Sequence, residues 1–293
     1  MTRFGRNLHC VLLMCSSVLI SCRIAENPPV PDDGPNGIHI VVSLPVVGLI
    51  TEPLLPDGMS WSAVLPAGGS PHAFEPSPSH GVLVSRSPVL IAVHPHVDGW
   101  ASRLTRGATI HLESGERHAH GDHEHENGHI WMDPVHVRAI IGELGRELCM
   151  AVPETCPDMH DRVAAFSDTL HALDRELVEL LSTASPSSPR RPLLTALPFI
   201  HPLLDRYDVA YEGPVQRVPG DMVAPSELAR LLRASRDQGT RAFVSQQSMM
   251  SSALGQIASD AGLELVMVEP TGHGFDSYTA FIRETARKIH AAR

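Results

Sequence analysis

Asp158-Met-His-Asp-Arg-Val-Ala-Ala-Phe-Ser-Asp-Thr-Leu-His-Ala-Leu-Asp-Arg-Glu-Leu-Val-Glu-Leu-Leu-Ser182 organises the whole chain. Val163, Phe166, Leu170, Leu173, Leu177, Leu180 and Leu181 recur at intervals of three and four with charges between them. That spacing predicts one long amphipathic helix over 158–182. The run Ser-Pro-Ser-Ser-Pro-Arg-Arg-Pro192 ends it and marks 183–192 as a linker. On either side, short apolar runs alternate with helical patterns. Before the helix, Ile38-His-Ile-Val-Val-Ser-Leu44 reads as a buried strand, followed by a helix near 46–55 and strands at 82–85, 89–93 and 108–112. After it come a strand at 193–196, a helix at 226–238 capped by Pro225-Ser226, and a strand at 242–245. A helix at 253–261, a strand at 263–268 and a helix at 278–291 complete the pattern. Alternation of this kind predicts an α/β fold with mainly parallel, covered sheets. The chain reads as two (β/α) sandwich lobes, 38–157 and 193–293, linked by one long backbone helix.

Composition narrows the partners. The 293 residues are 43% hydrophobic and 19% charged, enough for packed cores, and the formal charge of −10 argues against nucleic acid. Aromatics are only 4%, whereas histidine reaches 18 in a chain with a single lysine, Lys288. Such an excess of imidazole asks for a metal or proton explanation.

Arg3 and Arg6 precede the apolar run from Leu8 to Ile20, which ends in Leu19-Ile20-Ser21-Cys22. This is a basic region and an apolar region of signal-peptide length, too short to span a bilayer. Residues 1–21 are expected to be a signal peptide, and Cys22 resembles the lipidated cysteine of a bacterial lipobox. Residues 22–37, rich in proline, would then tether the fold to a membrane reached by the lipid anchor alone. Beyond residue 22 only Cys149 and Cys156 remain, closing a short loop around Pro153 that an oxidising compartment would allow to become a disulfide.

The metal signal has two parts. His118-Ala-His-Gly-Asp-His-Glu-His-Glu-Asn-Gly-His129 holds five of the histidines, with Asp122, Glu124 and Glu126 between them. Imidazole with carboxylate suits Zn²⁺ better than Ca²⁺ or Mg²⁺. The glycine-containing loop 116–128 suits an exchangeable secondary site built from His118, His120, His123 and His125. A tight site needs stiffer backbone. His72, in Gly68-Gly-Ser-Pro-His-Ala-Phe-Glu-Pro-Ser-Pro-Ser79, is fixed by prolines, and His129 stands in Gly128-His-Ile-Trp-Met-Asp-Pro134.

These two motifs, in this order, resemble those of the metal-binding solute receptors of ABC importers. The His-rich loop before the second motif resembles the zinc-type branch rather than the manganese one. The resemblance runs from about Ile38 to the C-terminus. It implies a metal cleft between the lobes, with two ligands from each, and delivery of the ion to a membrane permease. His72 and His129 match the first two ligands. The position of the third falls on Leu197, which cannot ligate; His201, one helical turn on, would restore it, or water or the loop would complete a two-His site. Glu269, after the last strand, matches the acidic fourth ligand, with Asp276 as fallback. Ser245 replaces an acid found in the family at the preceding strand. Asp133 either supports His129 from behind or caps the next helix.

The expected function is therefore an extracytoplasmic, high-affinity Zn²⁺ receptor, monomeric and not an enzyme, serving an ABC importer. A manganese or iron receptor is the alternative, since Mn²⁺ is favoured by additional oxygen ligands. An adhesin role is conceivable for a surface-anchored receptor. A zinc hydrolase, the rival of a different class, would need an open coordination position and a base, for which Glu75 or Asp133 could be nominated. Affinity should fall as pH drops through the ordinary histidine range near 6.5.

Overall fold

The computed structural model describes residues 37–113, 128–182 and 191–293. The expected signal peptide, Cys22, nearly all of the tether, the histidines His118, His120, His123 and His125, and most of the linker lie outside the described residues.

The N-terminal lobe alternates strictly. β1 (His39–Val42) leads to α1 (Pro45–Thr51), β2 (Ser60–Ala63) to α2 (Pro78–Val84), β3 (Leu90–Ala92) to α3 (Pro95–Asp98), and β4 (Thr109–His111) to α4 (Pro134–Ala151). All four strands are parallel, in the order β2-β1-β3-β4. The long helix α5 (Met159–Ser182) follows.

The C-terminal lobe repeats the scheme with β5 (Leu193–Thr195), α6 (His201–Arg206), β6 (Tyr211–Glu212), α7 (Pro225–Asp237), β7 (Ala242–Ser245), α8 (Ser252–Ala261), β8 (Glu264–Met267) and α9 (Tyr278–Ala291). Its order, β6-β5-β7-β8, is again all parallel and is the same pattern as in the first lobe. Both central pairs, β1 with β3 and β5 with β7, are fully buried, as strands covered on both faces must be.

The helix α5 forms as its periodicity dictates. Phe166, Leu170, Leu173, Leu177 and Leu181 make one buried stripe, while Val178 on the other side is exposed. Its polar residues reach both lobes. Arg162 Nε donates to the Leu54 carbonyl and Arg138 donates to His171 Nδ1 in the first lobe. In the second, Asp174 accepts from Tyr207 Oη at 3.0 Å and Glu176 from Arg283 Nε at 2.8 Å.

Two sequence expectations need correction. The apolar run 82–85 is not a strand; it lies at the end of α2, whose start is fixed by Ser77 and His80 in a reciprocal cap with Pro78 in the first turn. Ser226 does not cap α7, because Ala224 is the N-cap and Pro225 is already helical. β2 and the two-residue β6 carry too little pattern to be read. In contrast α4, absent from the sequence expectation, has a readable stripe in which buried Val137, Ile141, Leu144 and Leu148 recur at intervals of four, three and four.

Among the described residues, no helix is long and apolar enough to cross a membrane. Cys149, in the last turn of α4, and Cys156, before α5, are thiols.

Candidate metal centre

In parallel α/β sheets, ligands gather outside the carboxyl ends of the strands. Here two such ends face each other. A cavity of about 130 Å³ lies between the lobes, lined by segments that each follow a strand: His72 after β2, His96 after β3, His129 after β4, Leu197 after β5, Arg217 after β6, Gln246 after β7 and Thr271 after β8.

His72 is held through its neighbours. Trp100 Nε1 donates to the Pro71 carbonyl at 2.8 Å, and Phe74 packs edge-on against the Trp100 ring with centroids 4.7 Å apart. The His72 ring itself sits at the exposed mouth of the cleft and hydrogen-bonds the backbone of His96. Burial lowers its pKa; the bond to His96 and the Asp98 carboxylate oppose this.

His129 is more enclosed. Gly128 precedes it, where a Cβ would stand 2.4 Å from Val97 Cγ2, so only glycine lets the chain pass. The turn Ile130–Met132 after it is wholly buried. Trp131 Nε1 donates to the Pro270 carbonyl of the other lobe at 2.8 Å, and Tyr278 Oη donates to the Trp131 carbonyl at 2.8 Å. Burial pushes the His129 imidazole down to about 3, with His72 and His201 adding in the same direction. It is therefore neutral, the form that ligates.

The two rings converge. Nε2 of His72 lies 3.3 Å from Nε2 of His129. Two imidazole nitrogens at about 2.0–2.1 Å from one tetrahedral ion would stand about 3.3–3.4 Å apart. The pair thus has the spacing of two corners of a zinc tetrahedron.

The remaining expected residues are placed differently. Leu197 lines the cavity, as its sequence position implies. His201 does not line it; its Nε2 is 3.0 Å from Thr195 Oγ1 and its ring lies against Tyr211 with centroids 4.2 Å apart. It is nevertheless near enough to act on His129 electrostatically.

Glu269 has another occupation. Its carboxylate accepts from the backbone N–H of Thr271 (2.6 Å), Gly272 (2.6 Å) and His273 (3.2 Å) and from Thr271 Oγ1 (2.7 Å). It shapes the loop whose Pro270 and Thr271 form the cleft wall, and is not itself part of that wall. Asp276 is exposed. Ser245 is fully buried.

Asp133 does not support His129. It caps α4, accepting from Val135 and His136 N–H, and it binds Arg206 of the other lobe through both carboxylate oxygens. Among the described residues, no three His, Cys, Asp or Glu side chains already stand together as a metal-holding group. A cavity-lining residue that the sequence does not single out is His96, whose backbone bonds His72; its only signal is Pro95 just after a strand, the same stiffening that marks His72.

The family model for "Zinc-uptake complex component A periplasmic" (ZnuA) matches residues 40–292. The chain belongs to this family. The zinc-binding lipoprotein AdcA of Streptococcus pneumoniae is 24% identical over 195 residues, which cover 60% of this chain and 38% of that protein. The ZnuA-family chain thus spans well under half the length of that curated relative. A crystal structure of ZnuA superposes with a TM-score of 0.73 at 20% identity, covering 87% of this chain and 98% of that one. The laminin-binding protein Lmb of Streptococcus agalactiae, described as bifunctional with adhesin and metal-transporting activity, gives a TM-score of 0.75 at 15% identity, covering 87% and 99%. These likenesses establish the two-lobed fold of the ZnuA family for this chain.

Proposed function

We propose that this chain is an extracytoplasmic receptor that captures Zn²⁺ between its lobes and hands it to the permease of an ABC importer. The observation that carries the reading is the 3.3 Å separation of the His72 and His129 Nε2 atoms in an inter-lobe cavity. His72 and His129 are the first two ligands, and His201 is the third, leaving Thr195 Oγ1 for the ion. Drawing Glu269 into the site would strand three backbone N–H groups, each at a cost of about 1–3 kcal/mol. Water therefore completes the coordination, and Glu269 holds the loop.

A resident imidazole pair without a free carboxylate favours zinc over manganese, which prefers more oxygen. Hydrolysis is disfavoured by position. Neither nominated base lines the cavity: Glu75 is exposed outside it, and Asp133 is engaged by α4 and Arg206. The protein acts by binding and release. Anchoring through Cys22 and collection of ions by the loop 116–128 belong to the same reading, as does a monomeric state.

Isothermal titration of the protein with Zn²⁺ tests it. His72→Ala and His129→Ala should each weaken binding by more than the roughly 10–100-fold that loss of a merely supporting residue causes. Deleting residues 118–125 should lower stoichiometry and spare the tight site. Unchanged affinity in both histidine variants would overturn the assignment.

A further inference from the structure

Far from the cleft, at the opposite end of α4 from His129, the chain reverses between α4 and α5. Val152 N–H bonds back to Leu148, Thr155 N–H to Val152 and Cys156 N–H to Pro153, folding 149–156 into a compact corner. Thr155 Oγ1 donates to the Val152 carbonyl at 2.8 Å, and Arg162 of α5 donates to the Thr155 carbonyl. This corner brings the two cysteines together. Cys156 Sγ lies 3.5 Å from the Cys149 carbonyl, and the two thiols are within hydrogen-bonding reach of each other. Cys156 is exposed. Beside it runs an open groove of about 550 Å³ lined by Gly145, Cys149, Met150, Met159 and His160, so a reagent can approach.

We propose that Cys149 and Cys156 form a redox pair that closes to a disulfide by exchange with an external disulfide, fastening the end of α4 to the start of α5. The Cys156 thiolate attacks one sulfur of the external disulfide, forming a mixed disulfide and expelling one thiolate, which takes up the proton that Cys156 released. The Cys149 thiolate then attacks the Cys156 sulfur and expels the second thiolate, which takes the Cys149 proton. Two cysteine thiols lose two hydrogens and two electrons, and one external disulfide becomes two thiols. The hydrogen bond with Cys149 raises the pKa of the Cys156 thiol, so exchange quickens as pH rises. Since α5 carries contacts to both lobes, a staple just ahead of its first turn fixes the corner from which it departs. The ring closed is short, so the effect on the unfolded chain is at the modest end for disulfides.

The test uses the full chain treated with oxidised glutathione, then denatured, alkylated with iodoacetamide and cut with trypsin. Cleavage after Arg146 and Arg162 leaves both cysteines in one peptide. That peptide should be two hydrogens lighter than its reduced form and refuse alkylation until a reductant is added. Cys149→Ser and Cys156→Ser should each stop at a single glutathione adduct. The oxidised wild type should also melt at a higher temperature than the reduced one. A wild-type peptide that is doubly alkylated, or that retains glutathione, would overturn the proposal, as would a melting temperature unchanged or lowered by oxidation.

Discussion

Arg206 grips both carboxylate oxygens of Asp133 across the lobe boundary, with Nε 3.0 Å from each and Nη2 2.7 Å from Oδ2. The same carboxylate caps α4, the helix that begins five residues after His129. One acid thus joins the cleft motif to the facing lobe. Asp133→Ala removes a cap, worth about 1 kcal/mol, together with the ion pair. Arg206→Ala leaves a mostly buried carboxylate with only two helix amides. Because the Arg206 side chain is 40% exposed, solvent screens part of the pair. Urea unfolding of the metal-free protein should show Asp133→Ala destabilised by about 2–4 kcal/mol and Arg206→Ala by about 1–3 kcal/mol. Losses under about 0.5 kcal/mol for both would remove this joint from the account.

Glu269 separates a ligand from a loop-holder. Glu269→Ala leaves the N–H groups of Thr271, Gly272 and His273 without their acceptor and loosens the contact in which Val46 N–H donates to the Thr271 carbonyl at 2.7 Å. The expected result is a stability loss of about 2–3 kcal/mol with zinc affinity reduced less than about 10-fold. An affinity loss equal to that of His129→Ala would make Glu269 a direct ligand and refute the role assigned here.

How much of this was legible depended on whether sequence pattern or tertiary contact decided each feature. The helix α5 declares itself because Phe166, Leu170, Leu173, Leu177 and Leu181 must share a face. β2, with Ser60 and Ser62 on a half-exposed edge, has no such stripe. The run 82–85 looks like a strand because its residues are apolar, yet the local cap of Ser77 and His80 starts a helix there. At the site, the prolines around His72 and the Gly128-His129 step mark rigid backbone and lead to the pair that converges. Glu269 is readable as an acid at a strand end. Its occupation by amides two to four residues on depends on how the loop folds, as does the hold of Thr195 on His201.

The low pKa of His129 carries a consequence for stability. An unfolded histidine takes its proton near 6.5, whereas the buried ring resists protonation until about 3. Below 6.5 the unfolded chain therefore binds a proton that the native site refuses, so stability is full above that value and declines as pH falls from it towards 3. Chemical denaturation of the metal-free protein at about pH 7.5 and about pH 5 should show this loss, and His129→Gln should show a smaller one. Burial also lowers His72, so zinc affinity should hold to lower pH than the ordinary histidine value suggests. Equal pH sensitivity in wild type and His129→Gln would contradict the burial of that ring.

Trp131 ties the cleft shut from behind. Its ring is fully buried, lies 5.1 Å from the His129 ring, and its Nε1–H satisfies Pro270, the residue before the loop that Glu269 holds. Trp131→Phe deletes that donor, leaves a carbonyl unpaired and opens space in a packed core, at a cost of about 2–4 kcal/mol. Tyr278→Phe removes only the hydroxyl that bonds the Trp131 carbonyl and should cost about 1–2 kcal/mol. Neither change touches a ligand nitrogen. Both should leave zinc stoichiometry intact, while Trp131→Phe speeds release of the ion to a chelator in stopped-flow, because the Pro270–Thr271 wall loses its anchor. If Trp131→Phe released zinc at the wild-type rate, the inter-lobe bond would be structural scaffolding with no part in retention.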